Sequence, residues 1–362
     1  MKILHVITSL YMGGAEKLVV DLVPRFQALG HEIGVAVFNS EFTPLMERLE
    51  KECPNCKIYK LGHSFYNPLY IVKLIGIMRK YDIVHTHNSS AQLYAAIANI
   101  ICQKMLVTTE HNTNNRKRGN VLLSSIDKWM YTRYHKIICI SHQAEEKLGE
   151  YLRTDLSNKT QIETIYNGID INSIRNAAPI DNIKSNRFVI VMVAAFRPQK
   201  DQSTLVKAMA KLSGDQYEAW LVGNGECYEK VRNLINELNV GKYVKLLGLR
   251  TDVPNLLKTA DAIVMSSHYE GLSLSNIEGM AAGKPFIASD VDGIHEITEG
   301  YGILVPHQDD NALAEAIQRL HDDKIYCSQV AEKCYKRAMQ FDISEMVKRY
   351  NETYLNLSGN AV

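Results

Sequence analysis

The chain has 362 residues, too many for one ordinary core and suited to two domains of roughly 150–200 residues each. Its 46% hydrophobic and 22% charged residues are those of a globular protein, and a net charge of +1 excludes a bulk electrostatic pull toward nucleic acid. Seven scattered cysteines, an odd count, exclude a disulfide framework and point to a reducing compartment. The charge is uneven along the chain. Residues 1–170 carry 20 Lys+Arg against 16 Asp+Glu, and residues 171–362 carry 21 against 24, which suggests that the halves meet different partners. The longest apolar stretches, such as Ala95–Cys102, fall far short of the ~20 residues of a membrane span. The apolar start runs directly into Gly13-Gly14 with no small-residue cleavage site, so it reads as a first strand and not a signal peptide. The expected location is the cytoplasm.

In chain order the pattern is strand, then helix, repeated. Lys2–Thr8 is a strand, Ala15–Leu29 a helix stopped by Gly30, and Glu32–Phe38 a second strand. Cys53 and Cys56 form a lone CxxC, read as a loop with two free thiols because no second Cys or His pair accompanies it. Further strands are predicted at Ile83–His87, Met105–Glu110 and Lys136–Ile140. Helices are predicted at Pro68–Lys80, Ser90–Cys102, Leu122–Tyr134 and Ser141–Leu152. Periodicity fades over Asn167–Ser185, where Asn, Gly, Asp, Pro and Ser concentrate. The pattern then restarts with strands at Phe188–Val193, Tyr217–Val222, Val244–Leu247, Ala262–Ser266 and Pro285–Ser289, helices lying between them. Short apolar runs alternating with helices give parallel sheets covered on both faces. The fold class is therefore α/β, with two Rossmann-like doubly wound domains at 1–175 and 176–340. A last helix over 341–362 is expected to cross back to the first domain. Ligands of such sheets bind outside the carboxyl ends of the strands, and a cleft between two such domains is the expected site.

The densest chemistry follows the strand ending at Ser266. Glu270 and Glu278 bracket a turn, Gly271-Leu272-Ser273, and a helix starting near Leu274. A helix N-terminus favours phosphate, a carboxylate inside the helix accepts both hydroxyls of a ribose, and one before it holds hydroxyls of a second sugar. A nucleotide diphosphate sugar needs all three. Arg197 and Lys200 follow the first strand of the second half, where cations neutralise a departing diphosphate. Gly223 and Gly225, after the next strand, allow close backbone approach to a ligand. In the first half, Gly13-Gly14 form a βα turn and His111 follows the strand Met105–Glu110. His85 and His87 share one strand face, but no third and fourth metal ligand stands out, and no metal is expected. Arg116, Lys117, Arg118, Lys128, Arg133 and Lys136, with Leu122, Leu123, Trp129 and Met130 among them, form a basic and apolar segment suited to an anionic membrane face or a lipid diphosphate.

These motifs resemble those of the family 4, or group 1, retaining glycosyltransferases of GT-B fold, along essentially the whole chain and most densely over Ala194–Pro306. The resemblance implies that Glu270 contacts the donor sugar, Glu278 the ribose, and Gly271, Leu272, Ser273 and Leu274 the phosphates. Lys200 becomes the diphosphate lysine, residues around Leu249 and Arg250 hold the base, Gly13 and Gly14 approach the diphosphate or acceptor, and His111 lies near the donor sugar. The family's Gly-Arg-Leu arginine falls on Ala195 here, and Arg197, two residues on, is the candidate substitute. The implied reaction moves a hexose or N-acetylhexosamine from a UDP-sugar, or second a GDP-sugar, to a glycan or lipid-linked acceptor in bacterial surface polysaccharide synthesis. It needs no cofactor. Asp290-Val291-Asp292 mimics a metal signature of another transferase fold but sits in the family's closing loop. Two alternatives of the same fold stay open: a nucleotide-sugar epimerase and a non-catalytic nucleotide-sugar binding protein. A dinucleotide oxidoreductase is disfavoured because no GxGxxG follows the first strand.

Overall fold

The computed structural model describes residues 1–11, 13–111, 121–152, 160–180, 183, 186–270 and 274–359. They divide into two compact units, Met1–Asn167 with Ser344–Val362, and Gly168–Ile343. The first unit is thus built from two separate stretches of chain, and Gly168–Arg175, read from sequence as the end of the first domain, belongs to the second.

Unit 1 is a seven-stranded sheet: β1 (Lys2–Ile7), β2 (Glu32–Asn39), β3 (Lys57–Gly62), β4 (Ile83–His87), β5 (Met105–Glu110), β6 (Lys136–Cys139) and β7 (Gln161–Thr164). All neighbours are parallel, in the order β3-β2-β1-β4-β5-β6-β7. Its helices include α1 (Gly14–Ala28), α2 (Pro44–Glu52), α3 (Leu69–Met78), α4 (Ser89–Cys102), α5 (Val121–Tyr131) and α6 (His142–Leu152). The central strands are buried almost throughout, which is why they read as unbroken apolar runs.

Unit 2 begins with α7 (Ile171–Arg175) and then alternates β8 (Phe188–Val193), α8 (Gln202–Ala210), β9 (Tyr217–Val222), α9 (Tyr228–Glu237), β10 (Val244–Gly248), α10 (Val253–Thr259), β11 (Ala262–Met265), α11 (Leu274–Ala281), β12 (Phe286–Ser289), α12 (His295–Thr298) and β13 (Ile303–Val305). The helices α13 (Asp310–Asp322) and α14 (Lys324–Ala338) close it. Its sheet is parallel, in the order β10-β9-β8-β11-β12-β13. In each sheet the order of strand addition therefore reverses once, between β1 and β4 in unit 1 and between β8 and β11 in unit 2. These switch points open a crevice at the carboxyl ends of the strands.

The chain returns to unit 1 as α15 (Ile343–Leu357). Tyr350 and Tyr354 on this helix are fully buried. Arg349 pairs with Glu163 at 3.0 Å, and Asn351 meets His31 at 2.7 Å. At the exit from unit 2, Ile169 N–H donates to Phe341 O and Ile343 N–H to Ile169 O, both at 2.9 Å, so the outgoing and incoming strands of chain are tied together. Gly168 is required here because a Cβ would press on the Ile343 backbone. All seven cysteines are free, with Cys53 and Cys56 buried at the C-terminal end of α2. None of the described helices is long and apolar enough to cross a membrane.

Candidate active site

In unit 2 the loops after β8 and β11 are laced together at the switch point. Asp201 N–H donates to Ser266 O (3.0 Å), His268 N–H to Gln199 O (2.9 Å) and Ser266 Oγ to Asp201 O (2.6 Å). Asp201 also caps α8, accepting from Thr204 N–H at 3.2 Å and from its hydroxyl at 2.5 Å. This lacing brings together two residues 70 positions apart: Lys200 Nζ forms an ion pair with Glu270 Oε1. Ser267 Oγ donates to the same oxygen at 2.8 Å, and Gln199 Nε2 donates to the other at 3.2 Å. Both carboxylate oxygens are thus occupied, and the pair is shielded, with 12% and 5% side-chain exposure. An anion arriving at this position would compete with Glu270 for the Lys200 ammonium.

The helix α11 begins at Leu274, four residues after Glu270. It lies close on the sheet because Gly279 leaves room: a Cβ there would touch Ile263 and Phe286 at 3.0 Å. Glu278, one residue before that glycine, is half-buried. Asn276, in the first turn, is fully buried, and neither polar atom of its amide has a partner among the described residues. Sequence reasoning missed Asn276, and a polar residue inside an otherwise apolar helix face was the signal. Gly271, Leu272 and Ser273 lie outside the described residues.

Arg197 is exposed, and its side chain makes no ion pair with a described residue. Arg250 is also exposed but is clamped by Asp252, with N···O distances of 2.8 and 2.6 Å, and Leu249 is 75% exposed. Gly223 and Gly225 answer to a steric demand of the fold itself. At φ +141° and +155° they sit where a Cβ would strike the carbonyls of Ala194 and Phe196, so their space is filled by the neighbouring loop's backbone. A groove of about 890 Å³ runs from Lys200 and His268 along α8 and α9, past Lys207 and Lys230. Glu278, Leu249 and Arg250 do not line it. In the Asp-x-Asp string, Asp290 is held by His295 Nδ1 at 2.6 Å, which holds that histidine above its ordinary pKa, and the Asp292 carbonyl accepts from Glu270 N–H at 3.2 Å.

In unit 1, Gly13 caps α1 and Gly14 opens it, both exposed. The Glu16 carboxylate occupies the space a Gly13 Cβ would need. Asn88 Nδ2 reaches Thr8 Oγ1 (3.0 Å) and Glu16 Oε1 (3.3 Å) from a strained backbone, φ 71° and ψ 146°, just after β4. Next to it stand four histidines from three strands: His5 on β1, His85 and His87 on β4, and His111 directly after β5. His5 Nδ1 lies 3.1 Å from His87 Nε2, and His87 Nδ1 lies 3.1 Å from His111 Nε2. His85 is held by the Tyr354 hydroxyl (2.6 Å) and Thr109 Oγ1 (2.8 Å). Burial lowers all four pKa values, His5 and His111 to about 4. The rings are neutral at pH 7. His5 is the third ligand that the sequence did not offer beside His85 and His87, and the three have nitrogens within 4.8 Å of one another. Yet His85 and His87 stack at 4.4 Å with both His85 nitrogens engaged, which describes a hydrogen-bonded column more than a ligand shell.

The basic segment is less outward than expected. Met130 is buried and Trp129 half-buried against the core, Lys136 is paired with Glu163 at 2.7 Å, and Lys128 and Arg133 lie over the rings of Tyr151 and Trp129. The helix's inward face claims those apolar residues. Leu123 stays exposed, while Arg116, Lys117 and Arg118 lie outside the described residues, as does the Leu122 side chain.

Two family models cover nearly all of this chain: Glycosyltransferase Family 4 over residues 12–173 and Glycosyl transferases group 1 over residues 173–338. The chain belongs to the family 4, group 1 glycosyltransferases. Among curated relatives of this glycosyltransferase, the Escherichia coli UDP-Gal:alpha-D-GlcNAc-diphosphoundecaprenol alpha-1,3-galactosyltransferase is 26% identical over 99% of this chain and 98% of its own. A Campylobacter jejuni N-acetylgalactosaminyltransferase acting on a diphospho-undecaprenol-linked sugar is 25% identical over 93% and 94%. Among solved structures, Anabaena HepE in complex with UDP-glucose superposes with a TM-score of 0.84 at 24% identity, covering 98% of this chain and 100% of that one. The two parallel sheets and these likenesses make the fold GT-B.

Proposed function

We propose that this glycosyltransferase moves a hexose or N-acetylhexosamine from a UDP-sugar to a lipid-linked glycan, with retention of anomeric configuration and without a metal, in bacterial surface polysaccharide synthesis. The observation that carries the reading is the Lys200–Glu270 pair at the switch point of unit 2, with Glu270 four residues before the start of α11, the helix that bears Glu278. A diphosphate draws Lys200 and the helix N–H groups, Glu278 accepts the ribose hydroxyls, and Glu270, released from its cation, accepts hydroxyls of the sugar. Arg197 has no competing ion pair with a described residue and is the second diphosphate cation. In the transfer, the acceptor oxygen bonds to the anomeric carbon as the bond to the diphosphate oxygen breaks on the same face. The acceptor's proton passes to the departing phosphate. Lys200 stabilises the charge that develops there. In unit 1, His111 offers a hydrogen bond to a sugar hydroxyl. The relatives that act on diphosphoundecaprenol-linked sugars support a lipid-linked acceptor at the inner face of the cytoplasmic membrane.

Calorimetry with UDP, GDP and ADP, followed by UDP-sugars with a diphosphoundecaprenol-linked acceptor in EDTA, tests the reading. UDP binds most tightly, and Glu278→Ala weakens it by roughly 10- to 100-fold, the worth of hydrogen bonds to a charged group. The product's anomeric coupling matches the donor's. Binding of no nucleotide, or activity that EDTA abolishes and Mn²⁺ restores, defeats it.

A further inference from the structure

Each ring of the column His5–His87–His111 is neutral and so carries one N–H and one bare nitrogen. His87 uses both nitrogens, one toward each neighbour, so it donates to one ring and accepts from the other. The two hydrogen bonds therefore share one direction. Only two arrangements exist. Running outward, His5 donates to His87 and His87 to His111 Nε2, which leaves the proton of His111 on Nδ1. Running inward, His111 donates from Nε2 and its Nδ1 is a bare acceptor.

The inner end decides between them. His5 is fully buried and its Nε2 has no partner among the described residues. The outward arrangement leaves a bare lone pair there, whereas the inward one strands an N–H, and orphaned buried N–H groups are the rarer and costlier of the two. At the outer end His111 is partly exposed, and its Nδ1 makes no hydrogen bond to a described residue. His85 flanks the column, stacked on His87 at 4.4 Å and locked by Tyr354 and Thr109, so the His87 ring cannot turn over without breaking that stack. We infer that His5 and His87 are positioning residues that hold His111 as the Nδ1–H tautomer, so that His111 acts as a fixed hydrogen-bond donor to a sugar oxygen and not as a base. The inference deepens the proposed transfer reaction and rests on it for the sugar. The tautomer itself does not depend on that reading.

The test reads the two separately. Long-range ¹H–¹⁵N spectra of the histidine-labelled full chain at pH 7.5 assign each imidazole proton, with His111→Gln identifying the His111 signals. The wild type shows His111 protonated on Nδ1 and bare on Nε2. In His87→Phe, which has no donor, the His111 signals move to the Nε2–H form or a mixture. In His87→Asn, whose amide stands near the lost Nδ1, they stay. Glycosyl transfer falls about 10- to 100-fold in kcat for His87→Phe, the usual cost of losing an orienting partner, with donor KM changed less than threefold, and His87→Asn recovers most of it. Should His87→Phe not fold, His5→Phe removes the first donor and mixes the tautomers likewise. A wild-type His111 protonated on Nε2, or one unmoved by His87→Phe and His5→Phe, overturns the column's role. The expected tautomers in a protein that transfers no sugar leave the column standing and defeat the proposed function instead.

Discussion

Lowering the pH from 7 to 5 should weaken unit 1 through His5. Its pKa is about 4 in the fold against 6.5 for an ordinary histidine, with burial as the cause. Between those two values the unfolded chain binds a proton that the folded chain refuses, so stability falls as the pH drops through 6.5 and stops falling near 4. At pH 5 the 1.5 units below 6.5 amount to about 2 kcal/mol from His5 alone, at ~1.36 kcal/mol per unit. His85 and His87 are shifted in the same direction and add to the loss. The groups facing His5 are His85, His87 and Phe26, and none of these supplies a negative charge that favours its protonation. Urea unfolding reads the effect. In a Trp220→Phe background, Trp129 is the remaining tryptophan and reports on unit 1. His5→Gln should be less stable than the parent at pH 7, yet its loss between pH 7 and 5 should be smaller by about 2 kcal/mol. Equal slopes in the two proteins refute the reasoning, because the acid sensitivity then lies in other groups.

Glu270→Gln keeps the hydrogen-bond geometry but leaves the shielded Lys200 ammonium without its counter-charge. It should lower unit 2 stability by about 3 kcal/mol in denaturant titrations. Calorimetry should find UDP binding retained within a few-fold, since Lys200 is freed for the diphosphate, while transfer drops at least about 100-fold. Gly223→Ala forces a side chain into the Ala194 carbonyl at φ +141° and should cost about 2 kcal/mol or more, seen as a fall in the urea midpoint. Tyr354→Phe removes the hydroxyl that meets His85 and should cost about 1 kcal/mol, with faster amide exchange along β4 as a local signature.

The elements legible in the sequence were those with a strong physical signature. The buried strands β1, β4, β5, β8 and β9 read as apolar runs, and helix α1 carries a stop signal in Gly30. The elements missed include α2 with β3, the edge strands β7 and β13, and the helices α7, α13 and α14. The strands among them are short, half-exposed and partly polar, so they lack a two-fold apolar rhythm. The helices α2 and α13 do carry a helical apolar rhythm, burying Leu45, Met46 and Leu49, and Leu313, Ile317 and Leu320. In the candidate site, Lys200 and Glu270 were both named from their places after strands, but their pairing was not, because it depends on two loops laced across a switch point. His85 and His87 were seen as a pair and left without a third member. His5 is their neighbour only through the register of β1 on β4, where His5 stands opposite His85, and register between distant strands leaves no mark on one sequence. Gly223 and Gly225 stand where the structure requires glycine, because a Cβ would strike the carbonyls of Ala194 and Phe196, a demand that the sequence does not display.

Because α15 completes unit 1 after the whole of unit 2 has been synthesised, the two units do not mature in the order of their genes' reading. The β4–β5 end of unit 1 exposes the pockets for Tyr350 and Tyr354 until residues 344–357 leave the ribosome, while unit 2, contiguous from Gly168 to Ile343, is complete sooner. The nascent chain thus has every residue of its second unit synthesised before it has the last helix of its first, by roughly a second or more at 5–20 residues per second. The open groove offers the Phe26 ring and the polar groups of His85 and Thr109 to an aromatic helix, so it is the place where a chaperone, or the α15 of another copy, has its chance to bind.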